Sequence, residues 1–278
     1  MRILLTGRNG QVGSELERAL RALGEVIATD RTRLNLEDQD DVRRVVREVK
    51  PDLIVNAAAY TAVDKAESER ELAMKVNAAA PECLAEEAKR LGAGLVHYST
   101  DYVFDGTKRS PYEEGDETNP ISHYAHSKLE GERAIAASGC RHLILRTSWV
   151  YGPRAANFYQ IILRKARANE PMRMVDDQTS VPTTSAFLAE HTVALLRKQA
   201  SGLLHLVPSG RATRYEFAAE VVRAVRSSSR VERARTSDFP SAARRPAYSV
   251  LDNHRVAEVL GFRPPPWEQL LPRAFSSS

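Results

Sequence analysis

The chain has 278 residues, of which 42% are hydrophobic and 27% are charged, and its formal net charge is +4. This length allows one large domain or two coupled ones. No apolar run is long enough to span a membrane, and the arginines are not interleaved with aromatic residues, so we expect neither a membrane nor a nucleic-acid partner. The start of the chain lacks a secretory pattern, and Cys83 and Cys140 lack metal or disulfide spacing, which predicts a cytoplasmic protein.

Strand-like and helix-like patterns alternate through the first half of the chain. Five apolar runs are typical of buried strands: RILLT (2–6), EVIAT (25–29), DLIVNAAA (52–59), GLVHYST (94–100) and HLILRTS (142–148). Helical spacing separates them, over 14–23, 40–50, a long stretch at 65–91 and the segment that begins YAHSK. This alternation predicts an α/β fold with a doubly wound parallel sheet over residues 1–150.

After residue 150 the alternation is looser. Helical patterns near 157–169, 183–199 and 214–226 are separated by short strands such as MRMV and LLHLV. The segment SSSRVERARTS (227–237) predicts a mobile loop, and a short helix is expected after the prolines near the end. We therefore expect residues 151–278 to form mainly a smaller C-terminal α/β substrate-binding lobe, with some segments returning to the first domain.

A glycine-rich turn, TGRNGQVG (6–13), lies between the first predicted strand and the first predicted helix. Gly7 would permit the tight turn, Gly10 would let backbone N–H groups approach a phosphate, and Gly13 would let helix and strand pack closely. The spacing is G-x-x-G-x-x-G, so a turn without a ligand is the alternative interpretation. The strand before it, the helix after it and the acid that ends the second strand favour a Rossmann-type dinucleotide site.

The residues after the second strand bear on which dinucleotide binds. Asp30 could bind the adenosine ribose hydroxyls, which favours NAD. Arg8, Arg31 and Arg33 lie where they could hold a 2′-phosphate, which favours NADP, although solvated loop charges are an equally good interpretation. The sequence therefore predicts NADPH, or NADH, as the cofactor.

The segment YAHSK places Tyr124 and Lys128 four residues apart, on one face of a predicted helix. A solvated helix face could carry this pair by chance. However, Thr100 lies at the tip of the fourth strand, at the sheet edge where a nicotinamide would lie. There the Tyr124 phenol could protonate the oxygen of a reduced ketone, Lys128 could lower the pKa of that phenol and bind the cofactor ribose, and Thr100 could hydrogen-bond the same oxygen.

These motifs together resemble the extended short-chain dehydrogenase/reductases, and their order is similar to that in dTDP-4-dehydrorhamnose reductases. The segments that carry the resemblance are TGRNGQVG, VNAAAYTAVDKAE (55–67), HYSTDYVFDG (97–106), YAHSKLEGE (124–132), LRTSWVYG (145–152), DDQTSVPT (176–183) and ARRPAYSVLD (243–252). They span nearly the whole chain. The resemblance implies NADPH- or NADH-dependent reduction of the 4-keto group of dTDP-4-dehydro-6-deoxy-L-mannose, which yields dTDP-L-rhamnose.

The motifs and the resemblance together assign three sets of site residues. The expected cofactor-binding set is Gly7, Gly10, Gln11, Val12, Gly13, Asp30, Arg31, Asn35, Leu36, Ala59, Thr61, Tyr98, Tyr124 and Lys128. The expected catalytic set is Thr100, Tyr124 and Lys128. The expected substrate-binding set is Thr100, Asp101, Tyr102, Trp149, Arg244 and Arg245. For Trp149 a place in the core is the alternative, and for the two arginines a plain surface role.

The sequence departs from the family pattern at a few positions. Ala125 replaces the usual glycine after the tyrosine. In some members a divalent metal lies at a dimer contact held by glutamates, and the matching positions here are Ala186 and Ala274. We therefore expect no bound magnesium, although Glu15 and Glu190 remain and an alignment slip near residue 186 could disguise a site. That mode of dimerisation is in doubt, while a homodimer stays open.

Two other functions also stay open. One is a reductase for a different nucleotide-linked 4-keto-6-deoxyhexose. The other is a non-catalytic, NADP-binding regulatory subunit. A regulator need not keep Thr100, Tyr124 and Lys128 together, and this chain has all three, which favours an enzyme.

Overall fold

The computed structural model of the protein describes residues 1–154 and 157–275, with side chains up to residue 272. Its strands are β1 (Arg2–Thr6), β2 (Glu25–Thr29), β3 (Leu53–Asn56), β4 (Gly94–Thr100), β5 (Arg141–Thr147), β6 (Val150–Tyr151), β7 (Met172–Val175), β8 (Thr179–Ser180), β9 (Thr183–Thr184), β10 (Gly202–His205), β11 (Ala212–Thr213) and β12 (Val231–Ala234). Its α-helices are α1 (Gln11–Ala19), α2 (Gln39–Val49), α3 (Arg70–Met74), α4 (Ala80–Leu91), α5 (His123–Ser138), α6 (Phe158–Arg167), α7 (Ser185–Arg197), α8 (Arg214–Ala224), α9 (His254–Leu260) and α10 (Trp267–Phe275).

The main sheet has six parallel strands in the order β10-β5-β4-β3-β1-β2, which confirms the predicted doubly wound α/β fold. Successive residues of its strands face opposite sides, so Leu4 packs with α2, α4 and α5, whereas Ile3 and Leu5 pack with α1 and α7. The chain runs outward from β1 in both directions along the sheet. In such sheets ligands bind at the carboxyl ends of the strands beside this switch point.

The second half of the chain contributes to both parts of the molecule. Strand β10 joins the main sheet beside β5, and α7 packs on α1. The remaining elements form small two-stranded sheets, β11–β8, β12–β7 and β6–β9, around a separate apolar cluster that includes Tyr159, Phe217 and Trp267. This smaller lobe stands over the carboxyl ends of β4 and β5, because β6 follows β5 after two residues and pairs with β9.

The prediction of one long helix over residues 65–91 is wrong in detail, because the helical stretch is interrupted twice. A 3₁₀ turn, Lys65–Glu67, precedes α3, and a π turn, Lys75–Ala79, separates α3 from α4. Pro81 has no N–H to donate to the carbonyl of Asn77, four residues earlier, so a regular helix cannot continue there. The Asn77 side chain instead bonds the backbone of Tyr60 and the hydroxyl of Ser127.

The prediction of a mobile loop at residues 227–237 is also wrong. Residues Val231–Ala234 form β12, which pairs in parallel with β7. Only Ala234 of this strand is fully buried, and Arg233 forms an ion pair with Asp176. Because the strand lies at the surface of a two-stranded sheet, its charged residues hid the strand pattern.

Among the described residues, no helix is both long enough and apolar enough to cross a membrane.

Candidate active site

A cavity of about 470 Å³ opens at the carboxyl ends of β1, β2 and β3. Half of the predicted cofactor-binding set lines it, namely Gly7, Gly10, Asp30, Arg31, Asn35, Leu36 and Ala59. The cavity therefore lies at the switch point of the sheet, where the fold places dinucleotides.

The glycine-rich turn forms one wall of this cavity. Gly7 has a φ of +74°, which side chains with a Cβ rarely adopt, and a Cβ on Gly13 would lie 2.0 Å from the Gly7 carbonyl oxygen. The Gly10 N–H donates to the Gly7 carbonyl (2.9 Å), and α1 begins at Gln11. The first N–H groups of α1 have no partner within the helix, so this cradle fits the pyrophosphate of a dinucleotide.

The charges at the end of β2 form the opposite wall. Asp30 accepts hydrogen bonds from the Thr32 hydroxyl (2.6 Å) and backbone N–H (3.0 Å), which hold the pKa of its carboxyl below the usual range. Arg31 lines the cavity and pairs with Glu37. Arg8 lies outside the cavity wall and pairs with Glu17 (2.8 Å), and Arg33 is exposed. Arg31 is therefore the arginine placed best to meet an adenosine phosphate.

A second cavity, of about 310 Å³, lies at the carboxyl ends of β4 and β5, under the smaller lobe. It brings together Thr100, Asp101, Tyr102, Tyr124 and Trp149 from the predicted catalytic and substrate sets, and Gln11 and Thr61 from the cofactor set. Gln11, which lines this second cavity, directly follows Gly10, which lines the first, so the two cavities adjoin.

Thr100 and Asp101 form the polar floor of the second cavity. The Thr100 hydroxyl accepts from the Tyr102 N–H (3.2 Å) and donates to Asp101 Oδ1 (3.1 Å). Asp101 Oδ2 accepts from Ser180 (2.8 Å) and from Ser249, which come from the family-like segments of the second half. Burial raises the pKa of Asp101 to about 6, and the three hydroxyl donors oppose that shift.

Tyr124 lies in the first turn of α5, which Ser122 caps through the N–H of Ala125 (3.3 Å). Its ring meets Tyr102 edge to face, with centroids 6.2 Å apart. Burial raises the pKa of its phenol above the ordinary value, and hydrogen bonding with Thr100 only partly offsets this. The phenol is therefore a protonated group at neutral pH.

Lys128 does not lower the pKa of Tyr124 as the sequence led us to expect. Its ammonium group is buried, 2.6 Å from the Tyr98 carbonyl oxygen and 3.2 Å from His97 Nε2, and it lines neither cavity. Burial lowers the pKa of Lys128 itself to about 8. A shared helix face is thus not enough to bring the ammonium to the phenol, because the carbonyl and the imidazole bind it first.

Several predicted residues lie outside both cavities. Val12 packs against the core on the α1 face of the sheet, and Gly13 packs under the glycine turn. The Tyr98 hydroxyl bonds Thr192 (2.6 Å) within that core, so Tyr98 faces the site only through its backbone.

The two arginines before Pro246 do not act as a unit. Arg244 is exposed, whereas Arg245 forms an ion pair with Asp64 (2.7 Å) and lines a cleft that adjoins the second cavity. The pair joins the segment after β3 to the C-terminal part of the chain.

Sequence reasoning missed Arg214, which begins α8. Its guanidinium lies over the Trp149 ring (4.2 Å) and the Phe158 ring (4.8 Å), and it lines both the second cavity and the adjoining cleft. Trp149 itself has a φ of 39°, an uncommon conformation for a residue with a side chain. The one sequence signal was the capping box of Thr213 and Glu216, which marks a helix start immediately beside Arg214.

No group of three or more His, Cys, Asp or Glu side chains in the described part of the chain could hold a metal ion. Ala186 lies near the start of α7 and lines a surface cavity with Glu15 and Glu190. The side chain of Ala274 lies outside the described residues. The expectation that magnesium is not bound stays a prediction.

A glycine cradle at the switch point of a doubly wound sheet, next to a helix that presents a tyrosine, is the arrangement of the extended short-chain dehydrogenase/reductases. Comparison with known proteins narrows this class. The family model described as "RmlD substrate binding domain" matches residues 1–278. The dTDP-4-dehydrorhamnose reductase of Burkholderia thailandensis is 44% identical, and the match covers 96% of this chain and 95% of the relative.

Solved structures agree. A dTDP-4-dehydrorhamnose reductase from Clostridium acetobutylicum is 36% identical, with a TM-score of 0.95 over 100% of this chain and 99% of that one. The enzyme from Bacillus anthracis, solved in complex with NADP, is 34% identical with the same TM-score, over 100% and 99% of the two chains. The chain belongs to the dTDP-4-dehydrorhamnose reductase family, whose members are NAD(P)-dependent oxidoreductases.

Proposed function

We propose that the protein reduces the 4-keto group of dTDP-4-dehydro-6-deoxy-L-mannose to give dTDP-L-rhamnose, with NADPH or NADH as the reductant. The observation that carries this proposal is the meeting of Thr100, Asp101, Tyr102 and Tyr124 in one cavity that adjoins the glycine cradle. The names of the full-length relatives support the substrate, and the NADP in the Bacillus anthracis enzyme supports the cofactor.

We propose that the first cavity holds the dinucleotide. The backbone of Gly7 and Gly10 and the start of α1 would bind the pyrophosphate, and Asp30 and Arg31 would contact the adenosine ribose and its substituent. When bound, the reduced nicotinamide supplies the hydride. Arg31 forms an ion pair with Glu37, which partly neutralises its charge. We therefore expect both NADPH and NADH to serve as the reductant, with NADPH preferred.

Tyr124 would give its proton to the oxygen of the reduced ketone. A raised pKa keeps the phenol protonated before the reaction, and an alkoxide is a much stronger base than a phenolate, so the transfer remains favourable. Thr100 would hydrogen-bond the same oxygen, and Asp101 would accept from a sugar hydroxyl.

The rest of the substrate would lie toward the smaller lobe. Arg214 and Arg245 carry the positive charge of the cleft that adjoins the second cavity, and Phe158 offers an aromatic face. A nucleoside diphosphate needs such a set, with cations for the phosphates and an aromatic surface for the base.

A substrate panel tests the proposal. The purified protein is given NADPH with either dTDP-4-dehydro-6-deoxy-L-mannose or dTDP-4-dehydro-6-deoxy-D-glucose, and kcat/KM is compared. We expect the L-sugar to be preferred at least about tenfold, which corresponds to about 1.4 kcal/mol. A preference for the D-sugar would favour a reductase of another nucleotide-linked sugar, and no turnover with either would favour a regulatory subunit.

We also propose a cytoplasmic location and a homodimer. The two cysteines, Cys83 and Cys140, are free and buried, which suits a reducing compartment. Solution mass measurement by light scattering tests the assembly.

A further inference from the structure

A row of buried polar side chains crosses the main sheet at its carboxyl end. Thr6 of β1 pairs in register with Asn56 of β3, which pairs in register with His97 of β4. Lys128 reaches the same row from α5. The first three residues are each 1% exposed and Lys128 is 2% exposed, so the row has to satisfy its own hydrogen bonds.

The contacts form an unbroken chain of heavy atoms. Lys128 Nζ lies 3.2 Å from His97 Nε2, and His97 Nδ1 lies 3.1 Å from Asn56 Nδ2. Asn56 Oδ1 lies 2.7 Å from the Thr6 hydroxyl, which also accepts from the Ala58 N–H (3.3 Å). Thr6 directly precedes Gly7, so the row connects the lysine of α5 to the glycine-rich turn.

The donors and acceptors of this row can be matched in two ways. Burial and the nearby Lys128 hold the pKa of His97 well below its usual range, so the ring is neutral and has one N–H and one lone pair. In the structure the Asn56 N–H lies opposite Nδ1, which leaves the ring proton on Nε2 and requires Lys128 to be a neutral amine. An ammonium has no lone pair, so it requires the proton on Nδ1 and the Asn56 amide turned by 180°, with the Thr6 hydroxyl then accepting from the Asn56 N–H.

We propose that His97 is a positioning residue for Lys128, which holds the amino group against the Tyr98 carbonyl and couples its protonation to the imidazole tautomer and the Asn56 amide. Below the pKa of Lys128, Nε2 accepts from the ammonium and Nδ1–H donates to the amide oxygen. Above it, both bonds reverse. This inference depends on the proposed function only in the experiment that measures turnover.

The other groups around Lys128 leave this coupling in place. Glu132, one turn further along α5, favours the ammonium, but it is held by Arg146 of β5 in a buried pair (2.6 Å). On the side of the π turn, Asn77 and Ser127 are neutral and bond each other (3.0 Å). The pKa of Tyr124, one turn earlier on α5, depends on Thr100 and Asp101 rather than on Lys128. Burial lowers the pKa of Lys128 to about 8, so both states are accessible near neutral pH.

The first test compares His97→Leu, which removes the ring nitrogens, with His97→Gln, which can return an amide atom near the Nε2 position. His142→Gln is the control, since His142 bonds the Cys140 carbonyl at the start of β5. Losing an acceptor of the ammonium should lower the pKa of Lys128. Because the sequence predicts that this ammonium binds the cofactor ribose, the alkaline limb of the kcat profile should move down by about one pH unit in His97→Leu. We expect kcat at pH 9 to fall about tenfold in that variant and to recover to within about threefold in His97→Gln.

A merely structural role predicts a different pattern. If both variants are slow while the alkaline limb stays at its wild-type position, or if His97→Leu keeps the wild-type profile, the inference is overturned.

The second test uses the wild-type protein and needs neither substrate nor folding of a variant. Long-range ¹H–¹⁵N NMR of the His97 ring reports which nitrogen carries the proton. We expect the Nδ1–H tautomer at pH 6 and the Nε2–H tautomer at pH 10, with the change near the pKa of Lys128. A single tautomer over the whole range would overturn the coupling, even if turnover by the wild-type protein upholds the proposed function.

Discussion

At the residue scale, Tyr124 carries the proposed proton transfer. Tyr124→Phe removes one hydroxyl from the wall of the second cavity and leaves the glycine cradle untouched. We expect the dissociation constant for NADPH, measured by fluorescence titration, to stay within about twofold, while kcat falls by about 10² or more.

Tyr98→Phe is the matched control for this change. It also removes one tyrosine hydroxyl, but that hydroxyl bonds Thr192 within the core. It should cost about 1 kcal/mol of stability and leave kcat near the wild-type value. Near wild-type kcat in Tyr124→Phe would remove the phenol from the mechanism.

Asp101 should give the stability of the protein a measurable pH dependence. Its folded-state pKa of about 6 lies above the unfolded value of 3.8, so between these pH values the folded state binds more protons. The free energy of unfolding of the wild type should therefore fall, relative to Asp101→Asn, by about 2 kcal/mol as the pH rises from 4 to 6. Urea unfolding of both proteins at several pH values measures this difference.

Asp105→Asn provides a control of opposite sign. Hydrogen bonds from Thr107 lower the pKa of Asp105, so the wild type should gain stability relative to this variant as the pH rises through the acid range. Parallel curves for the wild type and Asp101→Asn would show that Asp101 is ionised in both states alike.

At the element scale, the position of α5 depends on its contact with the π turn. A Cβ on Gly131 would lie 2.1 Å from the Asn77 carbonyl oxygen, the same carbonyl that Pro81 leaves without a helical donor. Gly131→Ala should push α5, and with it Tyr124, away from the sheet. We expect a loss of about 1–3 kcal/mol in the free energy of unfolding and a lower kcat.

Gly115→Ala is the control for this prediction, because nothing lies within 4 Å of a Cβ built there. Its stability should match that of the wild type. If Gly131→Ala is equally stable, α5 does not depend on this close approach.

The sequence predicts elements well where burial alone determines them. β1, β2 and β4 have the bounds that their apolar runs predict. β1 and β4 are covered on both faces, whereas β2 lies at the sheet edge and is only partly buried. The π turn at Lys75–Ala79 could not be predicted from the sequence, because residues 65–91 keep the helical spacing of apolar residues through it. β12 could not be seen either, because it lies at the surface and carries charged residues, of which Arg233 pairs with Asp176 just after β7.

At the scale of the whole molecule, the ion pair of Asp64 and Arg245 joins the two halves of the site. The pair is partly exposed, so Arg245→Met should change the free energy of unfolding by less than about 1 kcal/mol. Because Arg245 lines the cleft proposed for the nucleotide part of the substrate, KM for the nucleotide sugar should rise about tenfold while KM for NADPH stays constant.

Arg244→Met separates this effect from a general loss of positive charge. Arg244 is exposed, so its substitution should leave both KM values near those of the wild type. Equal effects of the two substitutions on KM would mean that Arg245 acts through net charge rather than through the cleft.

How far the site can be predicted also depends on scale. The glycine turn and Thr100 follow from local sequence, because a strand end fixes their place at the sheet edge. Arg214 and the serines that bind Asp101 come from the second half of the chain, and their contacts exist only after the lobe packs on the sheet. The direction of Lys128 could not be predicted, because it depends on the buried imidazole of His97.

The most direct test of the central claim follows the hydride itself. The protein is incubated with dTDP-4-dehydro-6-deoxy-L-mannose and NADPH that carries deuterium in the transferable position, and the product is identified by NMR and mass spectrometry. We predict dTDP-L-rhamnose with a single deuterium at C4, formed rapidly by the wild type and about 10² more slowly by Tyr124→Phe. Oxidation of NADPH without deuterium at C4, or no consumption of the keto-sugar by the wild type, would contradict the account.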